Sequence, residues 1–372
     1  MSLILTEEQK MLKEAANEFL LSNAPIESFR KLRDDNYKSY DPKVWEGFVE
    51  MGWTALTIPE KYGGLDFGYT GLGQILEETG KTLTKSPLIS SILLSATAIR
   101  LSDNESLKAK WLPELMGGKT NMTLALDEKS FFDPNSVEST AFLSGDSFII
   151  NGKKKMVIGG CYSDFLIVVA TLNESISLFL VDSKSEGIDI KNDVFMDTGS
   201  YSSISFSNVN VPVKNQLDIE VDGKTILNSI LDIGAIGLSC EMLGSVQAAF
   251  NQTMDYIKER EQFGTKIGSY QGLQHRAAKL FCEIELCKSI ILKALQSIDD
   301  ENENLSQYAH LAKAKLGEVL KLASNEAIQM HGGIGVTDDV NIGFYLKRAR
   351  VIQRLLGDTN YHLGCIAKQK GY

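Results

Sequence analysis

The pattern of apolar and polar positions divides the chain into three parts. From residue 6 to about 118, apolar residues recur at steps of three and four, the spacing that gathers them on one face of an α-helix. TEEQKMLKEAANEFLL shows it first, and Thr6 with Gln9 can form a capping box at its start. DPKVWEGFVEMGW repeats it, with Asp41 as N-cap and Pro42 at the first helical position, where a missing N–H costs nothing. IPEKYGG (58–64) reads as a loop, punctuated by Pro59 and the Gly63–Gly64 pair, before GLGQILEETGK and PLISSILLSATAIRL return to helix.

Near residue 121 the texture changes. NMTLALD, DSFIINGKK, DFLIVVAT, SISLFLVDS, IDIKND and SSISFSNVNV are short, rich in Ile, Val, Phe and Ser, and separated by Gly, Asp and Asn turns, which predicts six or seven strands. Near 222 the helical period returns, with four long helices at about 223–261, 270–299, 305–331 and 340–356. In the third, Tyr308, Leu311, Ala312, Lys315, Val319, Leu320 and Ala323 mark an apolar stripe with one charged interruption. The expected architecture is α+β and multidomain: an N-terminal helical domain (1–120), a central β-barrel-like domain (121–221) and a C-terminal four-helix bundle (222–372).

Composition narrows the function classes. A chain of 372 residues can bury a large core, and its 43% hydrophobic and 23% charged residues are ordinary for a globular protein. The net charge of −10 argues against nucleic acid or an anionic membrane as partner. No run of about 18 apolar residues reads as a membrane span, and MSLILTEEQKMLKEA turns acidic too soon for a secretory signal. The five cysteines form no C-x-x-C pair, and the four histidines show no close spacing with them, so reduced thiols in a cytoplasm, without zinc, are the expectation. Trp45, Trp53 and Trp111 fall on apolar helix faces or their ends and are expected in the core. Lys153, Lys154 and Lys155 read as a solvated basic turn, and His331 as structural.

Several motifs, in order and in frame, carry a resemblance. GWTALTIPEKYGG resembles the G-W-x-x-L-x-x-P-E-x-Y-G-G of the acyl-CoA dehydrogenase family, REQFG (260–264) its R-x-Q-F-G, and QMHGGIG (329–335) its Q-x-x-G-G-x-G. The resemblance covers essentially the whole chain. It implies a flavin adenine dinucleotide (FAD) cofactor, an acyl-CoA thioester as substrate, an electron-transfer acceptor and an oligomer, dimer or tetramer. It also implies that Arg260, Phe263, Gln271, Gln329, Gly332 and Gly333 contact the pyrophosphate and adenosine of a neighbouring subunit's flavin. An arginine's planar, permanently charged fork suits phosphate oxygens, and glycines let backbone approach the dinucleotide.

The residues that the resemblance assigns to chemistry within one subunit are missing. Counted from Gly332 the two patterns align without a gap, so Gly357 falls on the glycine of the family's E-G-T and Leu356 on its glutamate, the general base. The second position that carries the base in some members falls on Gly234, followed by Ala235 in place of an arginine. Where the family has T-E-P-x-x-G-S-D, this chain has Asp127-Glu128-Lys129-SFFDPN, and in NGKKKMVIG the ring-covering aromatic becomes Met156 and the threonine near the reactive flavin nitrogen becomes Ile158. An α-proton beside a thioester is weakly acidic and needs a positioned base; no catalytic residue is assigned by the motifs. The ending FYLKRARVIQRLLGDTNYHL resembles the small subunits of two-gene enzymes such as pimeloyl-CoA dehydrogenase. Three expectations stand: a subunit that completes a partner's FAD site, a self-sufficient homo-oligomer with a relocated acid (Asp127, Glu128, Asp232, Glu241 or Asp358), or a non-redox scaffold.

Overall fold

The computed structural model describes residues 3–35 and 39–372, so the part of the helical reading on 36–38 lies outside the described residues. Eleven α-helices are seen among the described residues: α1 (Glu7–Asn23), α2 (Ile26–Asp34), α3 (Pro42–Glu50), α4 (Tyr69–Thr82), α5 (Thr97–Leu101), α6 (Glu105–Met116), α7 (Gly223–Glu259), α8 (Gln271–Asp299), α9 (Leu305–His331), α10 (Ile342–Ile352) and α11 (Thr359–Gln369). Of the four long C-terminal helices expected, the first three match within a few residues. The fourth is shorter, because the chain turns at 353–358, and α11 follows it without having been anticipated. Leu88–Ala96 winds as a π-helix, a wider turn than the apolar pattern predicts. The capping reading holds: Thr6 Oγ1 accepts the Gln9 N–H while Gln9 Oε1 accepts the Thr6 N–H, and Asp41 accepts from the Lys43 N–H.

The chain forms two compact units, one of residues 1–31, 69–84 and 235–372, the other of 32–68 and 85–234. In the first, helices pack on helices. α4 and α7 approach at two glycines: a Cβ on Gly80 would lie 2.0 Å from the Glu241 carbonyl oxygen, and one on Gly244 1.8 Å from that of Glu77. Ser245 Oγ donates to the Gly80 carbonyl in the same contact, 3.0 Å away. Phe29, Leu83, Ala249, Ala327, Ile342, Phe344 and Tyr345 form a shared core. α7 is long and apolar enough to cross a membrane, but 78% of its apolar window is buried inside the protein, as expected of a core helix.

The second unit holds the β-domain. Strands β1 (Met122–Ala125), β2 (Thr140–Ser144), β3 (Ser147–Ile158), β4 (Phe165–Leu172), β5 (Ser175–Asp182), β6 (Ile188–Val194) and β7 (Ser200–Pro212) make a seven-stranded sheet. β4 organises it. One edge of β4 takes β5 antiparallel, and the other takes β1 and then β2, both parallel. Between them the chain leaves the sheet after Ala125 and returns at Thr140. β3 pairs with β7 with a register shift between Lys154 and Val157, where Met156 adopts φ 53°. The inward positions Ile150, Leu166, Val168, Phe179 and Val209 build the core. In the helical part of this unit Trp45, Trp53 and Trp111 are buried, Trp53 against Phe48 and Trp111 against Phe165.

The α4–α7 approach predicts that Gly244→Ala lowers unfolding free energy by about 1–3 kcal/mol, because a methyl group meets backbone that cannot yield. Gly272→Ala, in helix α8 with nothing within 4 Å of its Cβ position, should be neutral or slightly stabilising. Urea unfolding of the two variants checks this.

Candidate functional site

Helix α10 ends in a turn whose carbonyls face inward. Lys313 of α9, only 1% exposed, donates to the carbonyl oxygens of Gln353 (3.1 Å) and Gly357 (2.9 Å). His362 Nε2 lies 3.0 Å from the carbonyl oxygen of Leu356. Leu356 is buried and holds φ 54°, and Gly357 holds φ 98°. The left-handed region disfavours a leucine, so the surrounding contacts hold a strained residue at this position. A Cβ on Gly357 would sit 2.5 Å from the Tyr361 ring, which explains the glycine. Burial of its amine pushes Lys313 down to about 7. Burial, then the nearby Lys313 charge and His310, pushes His362 down to about 3.

Two of the acids considered for a relocated base, Asp358 and Glu241, have other work. Asp358 is exposed and caps α11, accepting the Tyr361 N–H at 2.9 Å. Glu241 is buried and takes both Nε (2.8 Å) and an Nη (2.7 Å) of Arg348 on a single carboxylate oxygen. Asp232 is half-buried within α7, and Gly234 and Ala235, in the same helix, are buried.

In the second unit, the loop between β1 and β2 is fastened by Glu128. Its carboxylate accepts the Glu138 and Ser139 N–H groups and pairs at 2.6 Å with Lys154, which is wholly buried on β3 and also donates to the Leu126 carbonyl. Lys154 is thus a buried ion-pair partner, whereas its neighbours Lys153 and Lys155 are exposed; the reading of all three as a solvated turn is corrected at the middle residue. The Lys154 charge and the hydrogen bonds outweigh burial and lower Glu128. Beside it Asp127 is raised to about 6, by burial, with Lys154 opposing. The Ile158 carbonyl accepts from Thr123 Oγ1 at 2.5 Å.

The residues expected at a flavin's pyrophosphate and adenosine all lie in the first unit. A two-residue hairpin, Glu261–Gln262 paired with Thr265–Lys266, follows α7 and carries Phe263 at its tip, 93% exposed with φ 54°. Arg260 is exposed at the base of that hairpin, and Gln271 at the first turn of α8. Tyr256, one turn before Arg260, stacks on His331 at 4.3 Å and 20° and donates to the His331 carbonyl. His331 is buried and bonds Ala327, the structural role expected of it. This stack brings the end of α7 to the end of α9, where Gln329, Gly332 and Gly333 are exposed. Gly332 has φ 64° and ψ −143°, open to glycine alone, and neither Gly332 nor Gly333 has any atom within 4 Å of a Cβ position. An open glycine turn, an exposed arginine and an exposed aromatic at one end of a helical unit fit a dinucleotide's phosphates and base. The sequence did not reveal the hairpin, whose strands are too short for a periodic signal, nor the Lys313 and His362 grip on the turn.

This is the framework of a flavin-type oxidoreductase. The chain belongs to the acyl-CoA dehydrogenase family, whose N-terminal, middle and C-terminal domain models match residues 6–119, 122–209 and 222–371. Members are FAD-dependent enzymes that dehydrogenate acyl-CoA thioesters. Among curated relatives, the mitochondrial short/branched chain specific acyl-CoA dehydrogenase of Bos taurus is 28% identical, covering 98% of this chain and 85% of that protein. The cyclohex-1-ene-1-carbonyl-CoA dehydrogenase of Syntrophus aciditrophicus is 26% identical, over 95% and 87%. Among solved structures, the ChsE4-ChsE5 complex from Mycobacterium tuberculosis contains a chain of TM-score 0.92 at 20% identity, covering 100% and 99%. The butyryl-CoA dehydrogenase of Megasphaera elsdenii has TM-score 0.91 at 24% identity, covering 100% of both chains.

The Asp127 carboxyl yields a signed prediction. Its folded pKa, about 6, exceeds the unfolded value of 3.8, so the folded state binds the extra proton between them and its stability falls as pH rises through that window. Asp127→Asn should therefore raise unfolding free energy at pH 8 by about 1–3 kcal/mol and have little effect near pH 4. Thermal unfolding of both proteins at the two pH values is the check.

Proposed function

We propose that this chain is the non-catalytic subunit of a heteromeric acyl-CoA dehydrogenase and completes the FAD site of a partner subunit. One observation carries the reading: the position aligned with the family's base holds a buried leucine, fixed in its turn by Lys313 and His362. A leucine cannot remove a proton. Asp358 is spent as a helix cap and Glu241 on Arg348, so neither is poised to replace it. Loss of a general base alone costs on the order of 10²–10⁴-fold in rate.

The retained residues fit the other half of the task. In the family they reach a neighbour's cofactor, and here Arg260, Phe263, Gln271, Gln329, Gly332 and Gly333 are exposed rather than folded against their own chain. Arg260 would take pyrophosphate oxygens through its fork, the Gly332–Gly333 backbone would approach without side-chain obstruction, and Phe263 would lie against the base. The bound flavin supplies the hydride acceptor, and the partner would supply the base, the ring contacts and the acyl-CoA pocket. An electron-transfer acceptor would reoxidise it.

A second reading has one observation in its favour. Asp127, half-buried and raised to about 6, has the character of a general base poised near neutral pH. If the chain worked alone, Asp127→Asn would abolish turnover while Glu241→Gln and Asp358→Asn would not.

The experiment that separates these readings pairs the chain with a family member that retains the glutamate. Arg260→Met in this chain should lower the FAD content and the acyl-CoA oxidation of the pair at least tenfold, whereas Leu356→Ala should leave both within about twofold. Equal activity of the pair with and without Arg260, or full activity of this chain alone, would refute the proposal.

A further inference from the structure

The groups behind the Leu356 turn form a hydrogen-bonded line whose protons can be placed. The Leu356 carbonyl oxygen can only accept, so His362 Nε2 carries a hydrogen. In a neutral ring this leaves a lone pair on Nδ1, which lies 2.9 Å from Nδ1 of His310. That bridge holds one proton, so His310 is protonated at Nδ1 and its Nε2 accepts, with Ser306 Oγ at 3.5 Å as donor. Ser306 Oγ in turn accepts from Gln369 Nε2 at 3.2 Å. The line runs from the exposed end of α11 through α9 to the strained peptide at Leu356.

The charges facing this line do not favour an imidazolium. α9 contributes Lys313, buried on two carbonyls. The turn contributes Asp358, exposed and occupied as the cap of α11. The same turn contributes exposed Arg354, and α11 ends in exposed Lys368 and in Lys370, which binds Gln307. Tyr361 sets its ring edge-on to both histidines. A protonated pair would be a buried cation beside a buried lysine, which costs desolvation without a counter-ion.

We propose that the turn 353–358 is an acid-sensitive latch, shut while His310 and His362 are both neutral and opened when the pair takes up protons. Opening releases the Leu356 and Gly357 carbonyls and the left-handed conformation they impose on Leu356. Burial lowers His310, and burial with Lys313 lowers His362, in the latched state. An open histidine binds its proton near pH 6.5, the latched one only at lower pH. Between those values the open state holds more protons, so the two histidines hold the latch fully above pH 6.5 and loosen it as pH falls, by up to about tenfold per pH unit each, while Lys313, lowered from 10.5 to about 7, loosens it in the same direction at higher pH. The protons come from solvent, and no bond other than N–H is made or broken.

Hydrogen–deuterium exchange of residues 353–362 in the full-length chain tests this, with rates corrected for intrinsic pH dependence. Protection should fall at least tenfold between pH 8 and pH 5. His362→Gln keeps an N–H for the Leu356 carbonyl and removes one of the two titrating rings, so the fall in its protection over the same range should be at least threefold smaller. Protection that ignores pH in the unaltered chain, or falls equally in the variant, would overturn the proposal. If the variant fails to fold, ¹⁵N spectra of the imidazoles in the unaltered chain decide: neutral tautomers at pH 8, Nε2–H for His362 and Nδ1–H for His310, support the latch. Any other tautomers, or an imidazolium at that pH, would overturn it.

Discussion

Three carbonyl oxygens at the end of α10, those of Gln353, Leu356 and Gly357, face the interior and must find donors, because an unpaired buried carbonyl costs about as much as a lost hydrogen bond. Lys313 and His362 supply them. The Lys313 amine donates to two of the three carbonyls, and its burial among them holds its pKa down to about 7. With these donors in place, the chain can hold Leu356 in a left-handed conformation, admit only glycine at 357, and start α11 at the Asp358 cap. The geometry of the turn is therefore kept although the side chain that would do chemistry there is apolar.

A second buried pair plays the same part in the β-domain. Lys154 and Glu128 tie β3 to the loop that leaves the sheet after β1, and the carboxylate fastens two backbone N–H groups on the way back to β2. Removing one partner of such a pair strands a buried charge and typically costs about 3–5 kcal/mol. Both sites thus retain their supporting framework. What differs is the residue at the positions that the resemblance assigns to chemistry: Leu356 in the turn, and Met156 and Ile158 on β3.

Much of this was legible in the sequence. The strands and most helices followed from hydrophobic period and turn residues, and the Thr6 and Asp41 caps from local chemistry. Leu356 was placed by counting from Gly332. Other features were not. The apolar stripe of α9 assigned its charged interruption to Lys315, which forms a half-buried pair with Glu283, while the fully buried cation is Lys313; a lysine's position on a helix does not tell whether its amine will find carbonyls. His310 and His362 meet across 52 residues of sequence, a separation that no local pattern reports. The same is true of β4, whose pairing with β1 and β2 along one edge depends on contacts remote in the chain.

The account's central claim is that this subunit keeps the contacts for a neighbour's cofactor and lacks its own chemistry. The most direct measurement is the visible absorbance spectrum of the chain purified alone, before and after addition of a panel of acyl-CoA thioesters. The account predicts a protein that is colourless, or yellow but unbleached by every thioester. Bleaching of a flavin spectrum on the time scale of enzymatic turnover would contradict it and place a working base within this chain.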